Sequence, residues 1–137
     1  MAKIRHIAYW AQDVEAMSKF FIEGLEMRFV QRRSTGAIDL TDGAINITLL
    51  PHSMPRSDGK PPSLGIDHIG FTVENEEDAR RLIEAAGAAE LHAVGVPGAI
   101  NYEKKFQGPE GIVVDLGHWA GAAPVGETET AQPASHH

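Results

Sequence analysis

The sequence predicts an α+β fold built twice from one unit, a strand, a helix and three further strands. Three observations carry this. The stretch Ile4-Arg5-His6-Ile7-Ala8-Tyr9 returns 62 residues later as Ile66-Asp67-His68-Ile69-Gly70-Phe71, and at that offset Phe20-Phe21 answers to Leu82-Ile83 and Gly24 to Ala86. Further on, Asp42-Gly43 before the apolar run 44–50 matches Glu110-Gly111 before 112–116, at an offset of 68. The second copy therefore carries about six extra residues, as diverged repeats do. In both copies the hydrophobic period passes from that of a strand to that of a helix and back.

The elements follow in order. A strand over 4–10, rich in β-branched and aromatic residues, opens the first copy, and one over 66–73 opens the second. Helices over 14–23 and 76–86 place Met17, Phe20 and Phe21, then Ala79, Leu82, Ile83 and Ala86, at helical spacing. Gly24 and Gly87 stand where left-handed C-caps are needed. Three strands close each copy, with turns at Thr41-Asp42-Gly43 and Gly108-Pro109-Glu110-Gly111. Residues 52–65 hold Pro55, Pro61 and Pro62 and read as a linker. The expected organisation is a first module at 1–51, that linker, a second module at 66–120 and a tail at 121–137 without hydrophobic period.

Composition narrows the chemistry. A chain of 137 residues, 42% hydrophobic and 23% charged, is long enough to bury a core. A net charge of −7, with basic clusters no longer than Arg32-Arg33 and Lys104-Lys105, argues against a nucleic-acid surface. Cysteine is absent, which excludes disulfides and thiolate ligands. No apolar run approaches a membrane span, so a cytoplasmic protein with no membrane partner is expected.

Alternate residues of a strand face opposite ways. With Ile7 and Tyr9 turned to the helix, His6 faces away; with Ile69, Phe71 and Val73 so turned, His68 does too. In the closing strand Ile112, Val114 and Leu116 share one face and leave Asp115 on the other. An acid inside an apolar strand is costly unless a cation compensates it. Two imidazoles and a carboxylate suit divalent Fe, Mn, Ni, Co or Zn and leave positions open for a ligand. The plainer reading is two half-buried histidines and a structural acid; their repeat-equivalent placement favours the metal.

The strands "RHIAYW" and "DHIGFTV" and the closing "GPEGIVVDL" resemble the vicinal-oxygen-chelate superfamily, which includes glyoxalase I, methylmalonyl-CoA epimerase, extradiol dioxygenases and bleomycin-resistance proteins. The likeness runs from Ile4 to about Trp119. It implies two βαβββ modules forming a curved, barrel-like mixed sheet around a metal cavity. It also implies ligands from the first and last strand of each module: His6, a residue near the end of 44–50, His68 and Asp115. The implied activity is metal-dependent chemistry of lyase or isomerase type on a small molecule that chelates through adjacent oxygens. The alternatives are an Fe(II) extradiol-type dioxygenase and a metal-free drug-binding protein.

This chain departs from the pattern in three places. The closing acid of the family is usually Glu, and here it is Asp115, one methylene shorter. Strict repeat alignment puts Ile47 at the first module's ligand position, and a shift of one residue would present Asn46 or Thr48 as contacts to water or substrate instead. The tyrosine that dioxygenases carry four residues before the proline of their Pro-x-Gly turn is replaced by Lys105, and no histidine lies between 93 and 117. Tyr102 is the candidate to stand in for that tyrosine, and Glu103 and Lys105 are candidates for catalytic acid/base work, beside plainer readings as a packing tyrosine and solvated strand charges. Trp10 and His118 are candidate substrate contacts, beside readings as a core aromatic and a surface histidine. An open sheet edge and the apolar helix faces predict a homodimer.

Overall fold

Strand alternation decides which side of each strand meets a helix, and the computed structural model, which describes residues 1–54, 63–91 and 104–117, shows the result. The chain runs β1 (Lys3–Ala11), α1 (Val14–Leu25), β2 (Arg28–Arg32), β3 (Ile38–Thr41), β4 (Asn46–Pro51), β5 (Gly65–Thr72), α2 (Glu76–Ala85), β6 (Ala89–Leu91), β7 (Lys104–Gln107) and β8 (Val113–Gly117). The strand–helix–three-strand unit therefore occurs twice. All eight strands join one mixed, curved sheet in the order β2-β3-β4-β1-β5-β8-β7-β6. β1 pairs parallel with β4 and β5 with β8, while β1 and β5 run antiparallel and join the modules within one chain. Among the described residues β2 and β6 remain edges, so the sheet is a curved wall rather than a closed barrel.

Each helix covers its own module. Buried Ile38, Leu40 and Leu49 pack with Tyr9, Met17, Phe21 and Ile47 under α1; Val73, Phe106 and Leu116 pack with Phe71, Ala79 and Ile83 under α2. Both helices start on a side-chain cap: Asp13 accepts from the Ala16 N–H at 3.0 Å, and Asn75 from the Asp78 N–H at 2.9 Å. Such a cap contributes about 1 kcal/mol.

Three expectations need correction. Gly24 does not end α1: the helix runs to Leu25 and the left-handed residue is Glu26 (φ 59°). The reason is Met27, whose N–H closes on the Phe21 carbonyl at 3.2 Å while its side chain joins the core, the contact that accompanies such caps. Phe20 and Leu82, repeat-equivalent and assigned to the apolar stripes, are 60% and 73% exposed. The stripe that packs on the sheet is narrower than the run of apolar residues, and it is carried by half-buried Met17 and Phe21 in one helix and Ala79 and Ile83 in the other.

Candidate metal centre

Cross-strand register builds the site from single residues. One row crosses five strands as Asn46 (β4), His6 (β1), Gly70 (β5), Asp115 (β8) and Lys105 (β7). The next row holds Asp39 (β3), Thr48 (β4), Ala8 (β1) and His68 (β5). Residues paired across strands share a face. Their chain neighbours Leu40, Ile47, Val114 and Phe106 pack beneath the helices, so both rows lie on the opposite, concave face.

On that face His6, His68 and Asp115 converge. His6 Nε2 lies 3.2 Å from His68 Nε2, and Asp115 Oδ2 lies 3.1 Å from His68 Nε2 and 3.6 Å from His6 Nε2. The two rings meet edge to face at 89°, and all three side chains are buried. Gly70 makes this possible. A β-carbon there would fall inside the His6 ring, within 2.7 Å of Nε2 and closer still to Nδ1 and Cε1. With no side chain on β5 at that level, the imidazole lies across the strand and reaches Asp115 beyond it.

The donor set fits a divalent ion. Donors bound to one ion at about 2.0–2.2 Å stand about 3–3.5 Å apart; two of the three spacings here, 3.1 and 3.2 Å, fall in that range and the third, 3.6 Å, lies just beyond it. Two imidazole nitrogens and a carboxylate oxygen turned to one point repel one another unless a cation or a shared proton lies between them. Asp67 completes the arrangement. Its Oδ2 accepts from His68 Nδ1 at 2.7 Å, so when His68 is neutral its proton sits on Nδ1 and its Nε2 lone pair faces the triad.

The titration behaviour follows from burial and these neighbours. Burial pushes the His6 imidazolium pKa down, and Asp115 offsets this only in part, so His6 is neutral. For His68 burial also pulls down, but the carboxylates of Asp115 and Asp67 outweigh it and the net shift is upward. Burial alone would raise Asp115; the cationic field of His68, the hydrogen bonds from both histidines and the Lys105 ammonium hold it well below the ordinary carboxylate range. The site is therefore an ionised carboxylate, one neutral imidazole and one imidazole whose proton competes with a metal.

The polar residues around the triad are organised as well. Lys105 Nζ donates to Asp115 Oδ1 at 2.8 Å. In the first module Thr48 Oγ donates to Asp39 Oδ1 at 2.7 Å, and Asp39 Oδ2 accepts from Gln31 at 2.7 Å and Arg33 Nε at 2.9 Å. Thr48 pairs with Ala8 as Asp115 pairs with Gly70, and Ala8 and Gly70 are repeat equivalents. Thr48, not Ile47, is thus the counterpart of Asp115, and Ile47 packs under α1. Asn46 and Thr48 are both buried on the concave face, as is Trp10. Tyr102, Glu103 and His118 lie outside the described residues. Asp67 and Asp39 were not read from the sequence as site residues, although Asp39, an acid within the apolar run AIDL, gives the same signal as Asp115 in IVVDL.

Asp67→Asn tests the role given to that carboxylate. The outer partner of a ligating histidine is worth 10–100-fold in metal affinity in general, so a loss of about that size is expected with little change in thermal stability. Competition against a chromophoric chelator measures it; an unchanged affinity would detach Asp67 from the site.

The chain belongs to the superfamily described as Glyoxalase/Bleomycin resistance protein/Dioxygenase, which it matches over residues 3–116. No curated protein matches it significantly. Among solved structures it resembles a hypothetical protein from Bacillus halodurans C-125 (21% identity, TM-score 0.61, covering 84% of this chain and 92% of that one). It also resembles the 2,3-dioxygenase LapB from Pseudomonas sp. KL28 (17%, 0.64), covering 97% of this chain but 46% of the dioxygenase, so it spans about half that enzyme's length. A Streptomyces coelicolor methylmalonyl-CoA epimerase in complex with 2-nitronate-propionyl-CoA matches at 18% identity and TM-score 0.57, over 83% of this chain and 94% of the epimerase. At these identities the likeness is one of fold. No helix among the described residues is long and apolar enough to cross a membrane.

Proposed function

We propose that this chain is a metal-dependent enzyme that holds one divalent ion between His6, His68 and Asp115 and acts on a small molecule chelating through adjacent oxygens. The observation that carries the proposal is the convergence of three buried donor atoms, ordered by Gly70 and Asp67, on one point of the concave face. A bound ion would supply Lewis acidity toward a carbonyl oxygen. Three protein ligands leave coordination positions open, with buried Asn46, Thr48 and Trp10 nearby on the same face as substrate contacts. The indole N–H of Trp10 has no partner among the described residues and would take an acceptor on the ligand. His118 closely follows β8 and is proposed as a further contact.

Lyase or isomerase chemistry is the reading favoured here. It needs a proton-transfer group, and Tyr102 and Glu103, which directly precede the strand carrying Lys105, are the proposed ones. Lys105 stands where a dioxygenase of this superfamily has its tyrosine. A screen separates the classes: metal-loaded protein is incubated in D₂O with α-hydroxy ketones and acyl thioesters, and in air with catechols. Deuterium incorporation beside a carbonyl supports the proposal. Oxygen uptake with catechols would replace it with the dioxygenase reading, and tight binding of an apolar drug without metal would replace it with the binding-protein reading. The homodimer is likewise proposed; because all three ligands belong to one chain, dissociation should leave the ion in place.

A further inference from the structure

Asp115 divides its two oxygens. Oδ2 turns to the imidazoles, and Oδ1 accepts from Lys105 Nζ at 2.8 Å. The ammonium thus stands one carboxylate away from the donor triangle, on the concave face, and keeps some access to solvent (19%). An ammonium has three protons. Among the described residues Asp115 is its one hydrogen-bond partner, so two N–H bonds are left for something else.

The repeat supplies an internal control. Lys105 pairs with Asp115 as Asp39 pairs with Thr48, so the position that holds a cation in the second module holds a buried acid in the first. The fold therefore does not require a cation there. A cation in this place also opposes a second one at the triad, since unit charges a few ångströms apart in a partly buried site repel by several kcal/mol at an effective dielectric constant of about 20. A residue that weakens metal binding and is not demanded by the sheet points to another task.

We propose that Lys105 is the anion-recognising group of the site, so that the chelating ligand carries a negative charge on the oxygen nearest β7. The inference rests on the metal reading above and narrows its substrate class to anionic vicinal-oxygen compounds, such as α-keto or α-hydroxy carboxylates and enolates. Lys105 would make a charge-assisted hydrogen bond to that oxygen, while Asp115 Oδ1 holds the ammonium in place.

Oxalate, a dianion with adjacent oxygens, is the probe. Zinc affinity is measured by chelator competition and oxalate affinity by calorimetry on zinc-loaded wild type, Lys105→Met, Lys105→Gln and Lys105→Arg. Glutamine retains a donor for Asp115 without the charge, and arginine retains the charge. The expected result is zinc bound as tightly as in wild type or more tightly in the two neutral variants. Oxalate should weaken about tenfold or more in both and stay within about threefold in Lys105→Arg. Oxalate binding unchanged in the neutral variants would overturn the inference and leave the metal reading standing. So would zinc affinity falling in step with oxalate, which would make Lys105 a support for Asp115 alone. Wild type that binds no zinc would overturn both.

Discussion

Gly70→Ala is expected to cost the site its metal while both modules stay folded. The added methyl would occupy the volume of the His6 ring, and the nearest atoms belong to a buried imidazole on a central strand, with the same row filled on either side by Asn46 and Asp115. Either the ring turns away from Asp115 or the two central strands separate. Overpacking of this kind costs about 1–3 kcal/mol of stability. Displacing a ligand should exceed the effect of removing an outer partner, so metal affinity should fall by at least about 100-fold. Chelator competition and thermal unfolding of the metal-free protein measure the two effects separately. Metal affinity within threefold of wild type in a folded Gly70→Ala protein would mean that the ring over Gly70 is not a ligand.

Asp115→Ala should have the second large effect, in two parts. It removes the carboxylate donor, and it leaves the Lys105 ammonium beside two imidazoles with no counter-charge among the described residues. Breaking a buried ion pair from one side costs about 3–5 kcal/mol, and the low end applies because Lys105 reaches solvent. Adding Lys105→Met to Asp115→Ala should recover part of that stability and none of the metal affinity. Urea denaturation of the two single variants and the double variant gives the coupling directly. Additive losses would show that the pair does not interact.

Much of this site was legible in the sequence, for a physical reason. A strand has a period of two, so fixing which residues meet the helix fixes which ones lie on the opposite face of the sheet, and that placed His6, His68 and Asp115 together. The repeat then supplied a second, independent copy of the same constraint. What was illegible depended on turns and on neighbours. The counterpart of Asp115 came out one residue off because the two hairpins differ. In the first, Asp42 Oδ1 accepts from the Ala44 and Ile45 N–H groups. In the second, a kinked turn over Pro109–Gly111, with Glu110 in the left-handed region (φ 57°), closes with the Gly108 N–H on the Ile112 carbonyl at 2.8 Å. Turn geometry sets register, and one residue of slip turns a side chain to the other face. The helix stripes erred for a related reason: period shows that a helix has an apolar side but not how far it rolls onto the sheet, which left Phe20 and Leu82 outside. Lys105 stood out by position, as the residue four before Pro109, yet its contact with Asp115 comes only from the pairing of β7 with β8.

A zinc titration of metal-free protein asks whether His6, His68 and Asp115, widely separated along the chain, hold a single divalent ion. One equivalent bound per chain, a raised unfolding temperature, and loss of both in His6→Ala and in His68→Ala are expected. Binding should also have a direction with pH. Zinc binds the deprotonated imidazole, and the His68 pKa is raised above 6.5, so affinity should already decline as pH falls toward 6.5 and drop further below it. Wild type that takes up no zinc, or that takes it up equally well after either histidine is replaced, would mean that these side chains form no such site.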